Sequence, residues 1–488
     1  MITLVSTSED IGGRLSTAVT DDVTSALLTD FPQQVFTQRD PKYKSLQESY
    51  FSGNQRALKP RCFFQPRSAQ DLARAVTLCV KAHCPFGLKS GGHGHYAGQS
   101  CLDGGIQLDL ALLNTISLDR NKGTVHVGPG ATWNSVYTRL QKERLIAVGG
   151  RSAGVGVGGF LVGGGLSFYA ARRGWAINHV RSFQVVLSNG SIVTASRENE
   201  PTLFRALRGG GSNLGVIASF ELETYPYSGM WGGRTLIDSS HSGQAIDAYA
   251  GFVHGLETDP KGHTILIFVC DQGSLQLLQY LVYTEPIAEL PMFDGLRNVP
   301  TIESSLGLTD YSTLADNIAN LQHGHGDRAS CSTVTFRLDQ DFLHYAFDVF
   351  FQESSPVSNY IQGTMEFHAL PRTLSPADNI FGLDTITGPL ISFLLIFSSK
   401  DECHDAEVIA IQKRIIGRVR VEAEKRNLYH PFLFPNYSGQ WQDVIGSFGE
   451  PNVKYLTEVA KIYDPEQAFQ HLQSGAFKVS YSNRNLKL

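Results

Sequence analysis

The sequence predicts an α+β protein of two domains, the first completed by the C-terminal tail, and three observations carry that prediction. Short strands are interspersed with occasional helices, without the regular strand–helix alternation of a doubly wound sheet. The 48 glycines of the 488 residues are unevenly spread. They crowd between Gly149 and Gly174 and again over residues 209–215, whereas from about residue 227 to 426 glycine becomes ordinary and alternating strands take over. After about residue 430 the chain returns to its earlier style. The expected division is residues 1–226, a second unit over 227–429 built as an antiparallel sheet backed by helices, and 430–488 rejoining the first.

In chain order, DDVTSALLTDF reads as a helix opened by an acidic cap at Asp21. CFFQPRSAQDLARAVTLCVKAHCPFGLKSGGHG reads strand, helix, strand, loop. Ser68 caps the helix, and Leu72, Ala75, Val76 and Cys79 share one face at helical spacing. Pro85 and Gly87 end it before the loop at Ser90. Short strands follow in GIQLDLALL, NTISLD and GTVHVGPG, then a helix in WNSVYTRLQKERL. FQVVLSNGSIVTAS is a hairpin turning at Asn189-Gly190. In the second unit GHTILIFVC and SLQLLQYLVYT alternate as strands, GTMEFHAL reads as another, and DAEVIAIQKRIIGRVRVEAEK as a helix.

Composition narrows the function. Forty-one basic and 46 acidic side chains give a net charge of −5, with no basic stripe to displace counterions from phosphates, so a nucleic-acid partner is not expected. No run approaches the ~20 apolar residues of a membrane span, and the N-terminus lacks the pattern of a secretory signal. The seven cysteines are scattered, odd in number and without CxxC pairing, which points to reduced thiols in an intracellular, cytoplasmic setting. The terminal Leu486-Lys487-Leu488 differs from the peroxisomal Ser-Lys-Leu tripeptide at its first position.

The chemistry is expected in the glycine clusters. In SGGHGH, successive backbone N–H groups can form an anion nest for a diphosphate, and a plain glycine turn beside a surface histidine is the competing reading. A metal site on His93 and His95 lacks further ligands at suitable spacing, so none is expected. In GGRSAGVGVGGFLVGGGLSFYAARRG the spacers are Val, Leu and Phe, which marks ordered backbone lying close to something flat or anionic. The GxGxxG-type matches within it follow a helix and loop, not the first strand of a βαβ unit, so a nicotinamide site fits poorly.

Taken in order, KSGGHGHYAG, GATWNSVY, GVGVGGFLVGGGLS, RGWAINHV, VVLSNGSIVTAS, LFRALRGGGSNLGVIASF, PNYSGQW and YDPEQAF resemble the FAD-linked oxidases of the berberine-bridge-enzyme-like group. These share the two-domain vanillyl-alcohol-oxidase, or PCMH-type, FAD-binding fold, and the overall look is closest to fungal members that tailor secondary metabolites. The resemblance covers about residues 62–225 and 435–478 and is loose between them.

The resemblance implies FAD as cofactor, with His93 matching the histidine that joins the flavin and His95 beside it in the same loop. The backbone of Ser90, Gly91, Gly92 and Gly94 would hold the diphosphate. A single bond through His93 and noncovalent FAD both stay open. The cysteine that makes a second bond in many members is Ser152 here, so a double link is not expected. Val155 matches the residue that gates oxygen, and Gly156, Gly158, Gly159, Gly163, Gly164 and Gly165 would admit backbone to the isoalloxazine and diphosphate. Asn178 and His179 stand where the family has Asp-Asn. Gly215, Val216 and Ile217 match a segment that meets the cofactor through its main chain.

Tyr437 matches the family's proton-accepting tyrosine, with Asn436 expected at flavin or substrate, although the motif's Asp is Gly439 here. A tyrosine titrating near ~10 needs a neighbouring cation or hydrogen bonds to serve as a base. The competing reading of Tyr437 is a packed aromatic, and that of Glu366 and His368 is a pair of solvated polar side chains. The implied reaction is hydride transfer from a small metabolite to the flavin and onward to O2, giving H2O2. A cyclase that uses FAD structurally and a non-catalytic binding protein are the alternatives. Substrate and oligomeric state are not legible in the sequence.

Overall fold

The computed structural model describes residues 8–288, 290–321, 325–371, 379–475 and 477–479, so the terminal Leu-Lys-Leu lies outside the described residues. The first helix is Ser8–Asp30 and not the shorter one expected from Asp21. Its inward stripe includes Thr20, Val23, Thr24 and Leu27, and the buried threonines carry the helical pattern through positions that read as polar. The helix Ala69–Lys81 forms as its pattern predicts, with the Ser68 hydroxyl accepting from the Asp71 N–H at 3.1 Å.

The first unit holds two main sheets. Strands β1 (Val35–Thr37), β2 (Cys62–Phe64), β3 (Phe86–Lys89) and β4 (Ile106–Asp109) are ordered β1-β2-β4-β3, with β4 parallel to both β2 and β3. Strands β5 (Ile116–Asp119), β6 (Thr124–Val127), β8 (Val180–Val186), β9 (Ile192–Ser196) and β10 (Val216–Glu223) form an antiparallel sheet ordered β5-β6-β10-β8-β9. The two-residue β7 (Leu145–Ile146) pairs with β11 (Tyr225–Pro226). Gly190, at φ +84°, turns the chain between β8 and β9.

A larger antiparallel sheet follows, of nine strands among the described residues. It comprises β12 (Met230–Ile237), β13 (Gly262–Asp271), β14 (Ser274–Tyr283), β15 (Thr301–Ser304), β16 (Gly307–Thr309), β17 (Arg328–Arg337), β18 (Gln362–Ala369), β19 (Leu390–Ser399) and β20 (Tyr429–His430). Its order is β15-β12-β14-β13-β18-β19-β17-β20, with β16 also on β12. One face packs under the helices Ser242–Gly255, Gln340–Ser354 and Asp405–Lys425, burying Phe268, Leu281, Phe367, Phe393 and Phe397 in a continuous apolar layer. Each such side chain contributes about 1.5–3 kcal/mol by leaving water. The alternate residues of the same strands face the first unit.

Two later segments of the chain dock on the first unit. The helix Tyr311–Leu321, in the middle of the chain, packs on the helix Trp133–Gln141: the Ala153 N–H donates to the Ala315 carbonyl at 3.1 Å, and the Asn134 amide to Asp316 at 3.1 Å. The tail returns to β3, where the Phe86 N–H donates to the Leu472 carbonyl and the Ser474 N–H to the Phe86 carbonyl.

Candidate active site

The loop after β3 is fixed by its neighbours while several of its own amides stay without an acceptor among the described residues. The Ser90 hydroxyl donates to the Pro129 carbonyl at 2.5 Å and accepts from the Gly158 N–H at 3.2 Å. Gly91 lies so near Gly156 that a Cβ on it would stand 2.5 Å from the Gly156 nitrogen, so two backbones meet where no side chain fits. Gln55 donates to the Gly94 carbonyl, and Gln99 accepts from the His95 N–H. The N–H groups of Gly91, Gly92 and Gly94 find no acceptor among the described residues. The His93 ring stacks on Phe51 with centroids 4.2 Å apart, and His95 meets the edge of Phe51 at 5.8 Å. Burial pushes the His95 imidazole down to about 4.

These residues border a cavity of about 470 Å³ between the first unit and the open face of the large sheet. Ser90, Gly91, Gly92, His93, Gly94 and His95 line one side, and Val155, Gly156, Gly158, Gly159 and Gly163 line another. Val216 and Ile217 reach it from the start of β10. A Cβ on Gly159 would meet nothing within 4 Å, whereas one on Gly163 would stand 2.6 Å from the Asn436 amide. Gly164, Gly165, Asn178 and Gly215 are not on the cavity wall, which departs from expectation. Gly164 and Gly165 turn the chain at φ +105° and +74° behind it. Asn178 accepts from Asn379 at 3.0 Å, and a Cβ on Gly215 would stand 2.5 Å from Val185. His179 is drawn away as well, with Nδ1 2.7 Å from the Tyr225 hydroxyl and Nε2 2.9 Å from the Arg173 carbonyl.

Asn436 and Tyr437 both line the cavity, and they are held differently. The Asn436 amide is engaged by the glycine run, donating to the Gly159 carbonyl and accepting from the Gly165 N–H, each at 3.2 Å. It therefore clamps that run. The Tyr437 hydroxyl accepts a hydrogen bond from Arg151. Arg151 also donates to His263 Nε2 at 3.0 Å and His368 Nδ1 at 3.2 Å, and His368 Nε2 lies 2.7 Å from a Glu366 carboxylate oxygen.

A guanidinium only donates, so both histidines accept from it as neutral imidazoles, and His368 passes its remaining N–H to Glu366. Burial, with Arg151 beside them, lowers both imidazoles. Burial pushes the Tyr437 phenol up to about 12, against the pull of Arg151 in the opposite direction. Glu366 and His368 are thus joined in one hydrogen-bonded network, His368 fully buried and Glu366 partly so, and are not a pair of freely solvated side chains. Arg151 and His263 carry no signal in the sequence beyond the position of Arg151 inside the glycine run.

A model of the FAD binding domain matches residues 60–196. The chain is 33% identical over 485 residues to the FAD-dependent monooxygenase FUP4 of Fusarium proliferatum, an alignment covering 95% of this chain and 93% of that protein. It is 32% identical to the FAD-dependent monooxygenase tpcD of Cochliobolus heterostrophus over 457 residues, 89% of this chain and 88% of that protein. The chain belongs to the family of FAD-dependent oxidoreductases that includes FUP4 and tpcD. Solved structures agree on the fold. The 6-hydroxy-D-nicotine oxidase of Arthrobacter nicotinovorans superposes with a TM-score of 0.78 at 19% identity over 91% of this chain and 98% of that chain. Berberine bridge enzyme superposes with a TM-score of 0.73 at 18% identity over 93% and 98%. FAD is the cofactor of this family member, and the site suits it. Glycine amides without an acceptor among the described residues can meet a diphosphate, and the open space over Gly159 can admit a flat ring.

Proposed function

We propose that this chain is an FAD-dependent oxidase of fungal secondary metabolism, which removes a hydride and a proton from an alcohol, amine or activated C–H carbon of a small metabolite while O2 becomes H2O2. Bound FAD supplies the two-electron acceptor and its reoxidation by O2. The chain's own residues bind, orient and manage the proton. The amides of Gly91, Gly92 and Gly94 bind the diphosphate, His93 makes the single covalent link, and the smaller Ser152 hydroxyl makes none. Val155, on the cavity wall, admits oxygen.

The observation that carries the reading is the Tyr437 hydroxyl on the cavity wall with Arg151 donating to it. Arg151 is the cation that the base hypothesis needs, since it favours phenolate over phenol. Tyr437 takes the proton from the substrate, and the neutral His263 and His368 keep Arg151 in place without competing for that proton.

The name monooxygenase borne by the relatives FUP4 and tpcD favours a second reading, in which two electrons and two protons from an external reductant let one oxygen atom of O2 enter the product while the other leaves as water. Turnover under labelled O2 separates the two. The oxidase reading expects one H2O2 per product and no label in the product, and label in the product overturns it. Anaerobic substrate addition tests the cyclase alternative: the oxidase bleaches its yellow colour, while a ring closure without net oxidation forms product from a protein that stays yellow. Acid precipitation tests the link at His93. Flavin is expected in the pellet of the native protein and in the supernatant of His93→Ala.

A further inference from the structure

Residues 51–55 hold the loop that carries His93 almost residue by residue. The Phe51 N–H donates to the Gly92 carbonyl at 2.9 Å, the Gln55 side-chain amide to the Gly94 carbonyl at 2.8 Å, and that of Asn54 to the His95 carbonyl at 3.3 Å. His93 is the residue these bonds skip, and there Phe51 places its ring instead, with centroids 4.2 Å apart and the planes 17° from parallel. A second set of bonds ties the same segment to the strand β17 and the turn before it. The Phe51 carbonyl accepts from the Gly326 N–H at 2.8 Å, the Gly53 N–H donates to the Asp327 carbonyl at 2.7 Å, and the Asn54 amide also donates to the Ala329 carbonyl at 2.8 Å. Phe51 is thus bonded through its own N–H to the His93 loop and through its carbonyl to the second unit, and it lines the cavity together with His93.

A stack of this kind decides one thing about His93, the direction of its ring. Near-parallel rings meet face to face, so Phe51 covers a face of the imidazole and not the edge, where both nitrogens sit. An imidazole without such a neighbour turns about its side-chain bonds, and a productive approach must first freeze that freedom. Joining a flavin to a histidine replaces one C–H bond of the 8α-methyl and one imidazole N–H by a C–N bond. Two protons leave, and the two electrons stay with the flavin until O2 takes them up as H2O2. The chain's own share in that step is to hold a ring nitrogen toward the methyl.

We infer that Phe51 is a positioning residue for flavin attachment, its ring holding the His93 imidazole at the angle from which a nitrogen meets the 8α-methyl. The inference rests on the His93 link of the proposed function. Phe51 acts through His93 and touches no bond that forms or breaks.

The test reads attachment, not turnover. Native protein, Phe51→Leu and Phe51→Tyr are isolated, saturated with FAD in air and sampled over time by acid precipitation. Leucine keeps an apolar side chain but has no flat face, whereas tyrosine keeps the face. The native protein and Phe51→Tyr are expected to carry their flavin in the pellet from the first sample. Phe51→Leu is expected to bind FAD and stay yellow, to release its flavin to the supernatant, and to gain pellet flavin about tenfold or more slowly. Pellet flavin in Phe51→Leu from the first sample overturns the inference and leaves the His93 link standing. So does a Phe51→Tyr variant that releases flavin as Phe51→Leu does. Failure of Phe51→Leu to bind FAD at all also overturns it, since Phe51 would then build the cofactor site and not aim the histidine. Flavin released by the native protein removes the link itself, and the inference falls with it.

Discussion

Arg151 and Tyr437 form the pair whose chemistry is easiest to separate from packing. Burial pushes the phenol up to about 12, so at pH 7 about one molecule in 10⁵ holds phenolate, and a base mechanism gains about tenfold in kcat/KM per pH unit through the neutral and alkaline range. Arg151→Met removes the cation that holds the phenol down, so the whole profile is displaced to higher pH. Arg151→Lys restores part of the displacement. A purely structural role would lower the rate equally at every pH. Tyr437→Phe should cost about 10²–10⁴-fold and flatten the pH dependence; full turnover by Tyr437→Phe would remove it from the mechanism. Sequence could name Tyr437 from its motif but not its partners, because Arg151 reaches His263, His368 and Tyr437 across 112, 217 and 286 residues. Nothing local marks such a network. Glu366 and His368 were visible only as alternating polar residues on a strand, a pattern that solvated and buried polar faces share.

At the scale of elements, the two glycine loops make a prediction that distinguishes folding from cofactor binding. Gly91→Ala puts a methyl 2.5 Å from the Gly156 backbone, which has no flexible side chain to give way. Strain of about 1–3 kcal/mol is expected, read as a lowered Tm of the protein stripped of flavin, with each glycine variant and its reference made in the His93→Ala background where no covalent link holds the cofactor. Gly159→Ala meets nothing within 4 Å, so the stripped protein should melt as its reference does. Its methyl enters the space assigned to the flavin, and FAD retention should fall. Equal Tm losses in both variants would mean that the run is glycine-rich for packing alone. These elements were legible wherever a local pattern decides them, as with the Ser68 cap, the Asn189-Gly190 turn and the alternation of β13 and β14. The positions of Gly164, Gly165, Asn178 and Gly215 behind the wall were not. A glycine kept for a turn or for close packing and one kept for a ligand look the same in sequence.

For the whole molecule, the clamp around Arg151 is also a joint, since the glycine run of the first unit enters the open face of the large sheet between β13 and β18. Its two histidines are held neutral by burial and by the adjacent guanidinium, so their folded-state values lie below the ordinary ~6.5. Once pH falls below that ordinary value, the unfolded chain takes up protons that the folded protein refuses. The stabilisation is therefore fully present above about pH 6.5 and is lost progressively as pH drops toward the depressed folded values. Each histidine contributes a slope of up to about 1.4 kcal/mol per pH unit within that window. Urea unfolding followed from pH 8 to pH 4.5 should show a plateau above 6.5 and a fall below it. The double variant His263→Asn, His368→Asn should start less stable at pH 8 and fall less steeply. An unchanged slope would mean that the acid sensitivity resides in other groups, such as His95 and His430, whose imidazoles are also pushed down to about 4. A reduced slope accompanied by loss of FAD at neutral pH would show that the joint holds the two units around the cofactor. That result would link the stability of the interface to the competence of the cavity it closes.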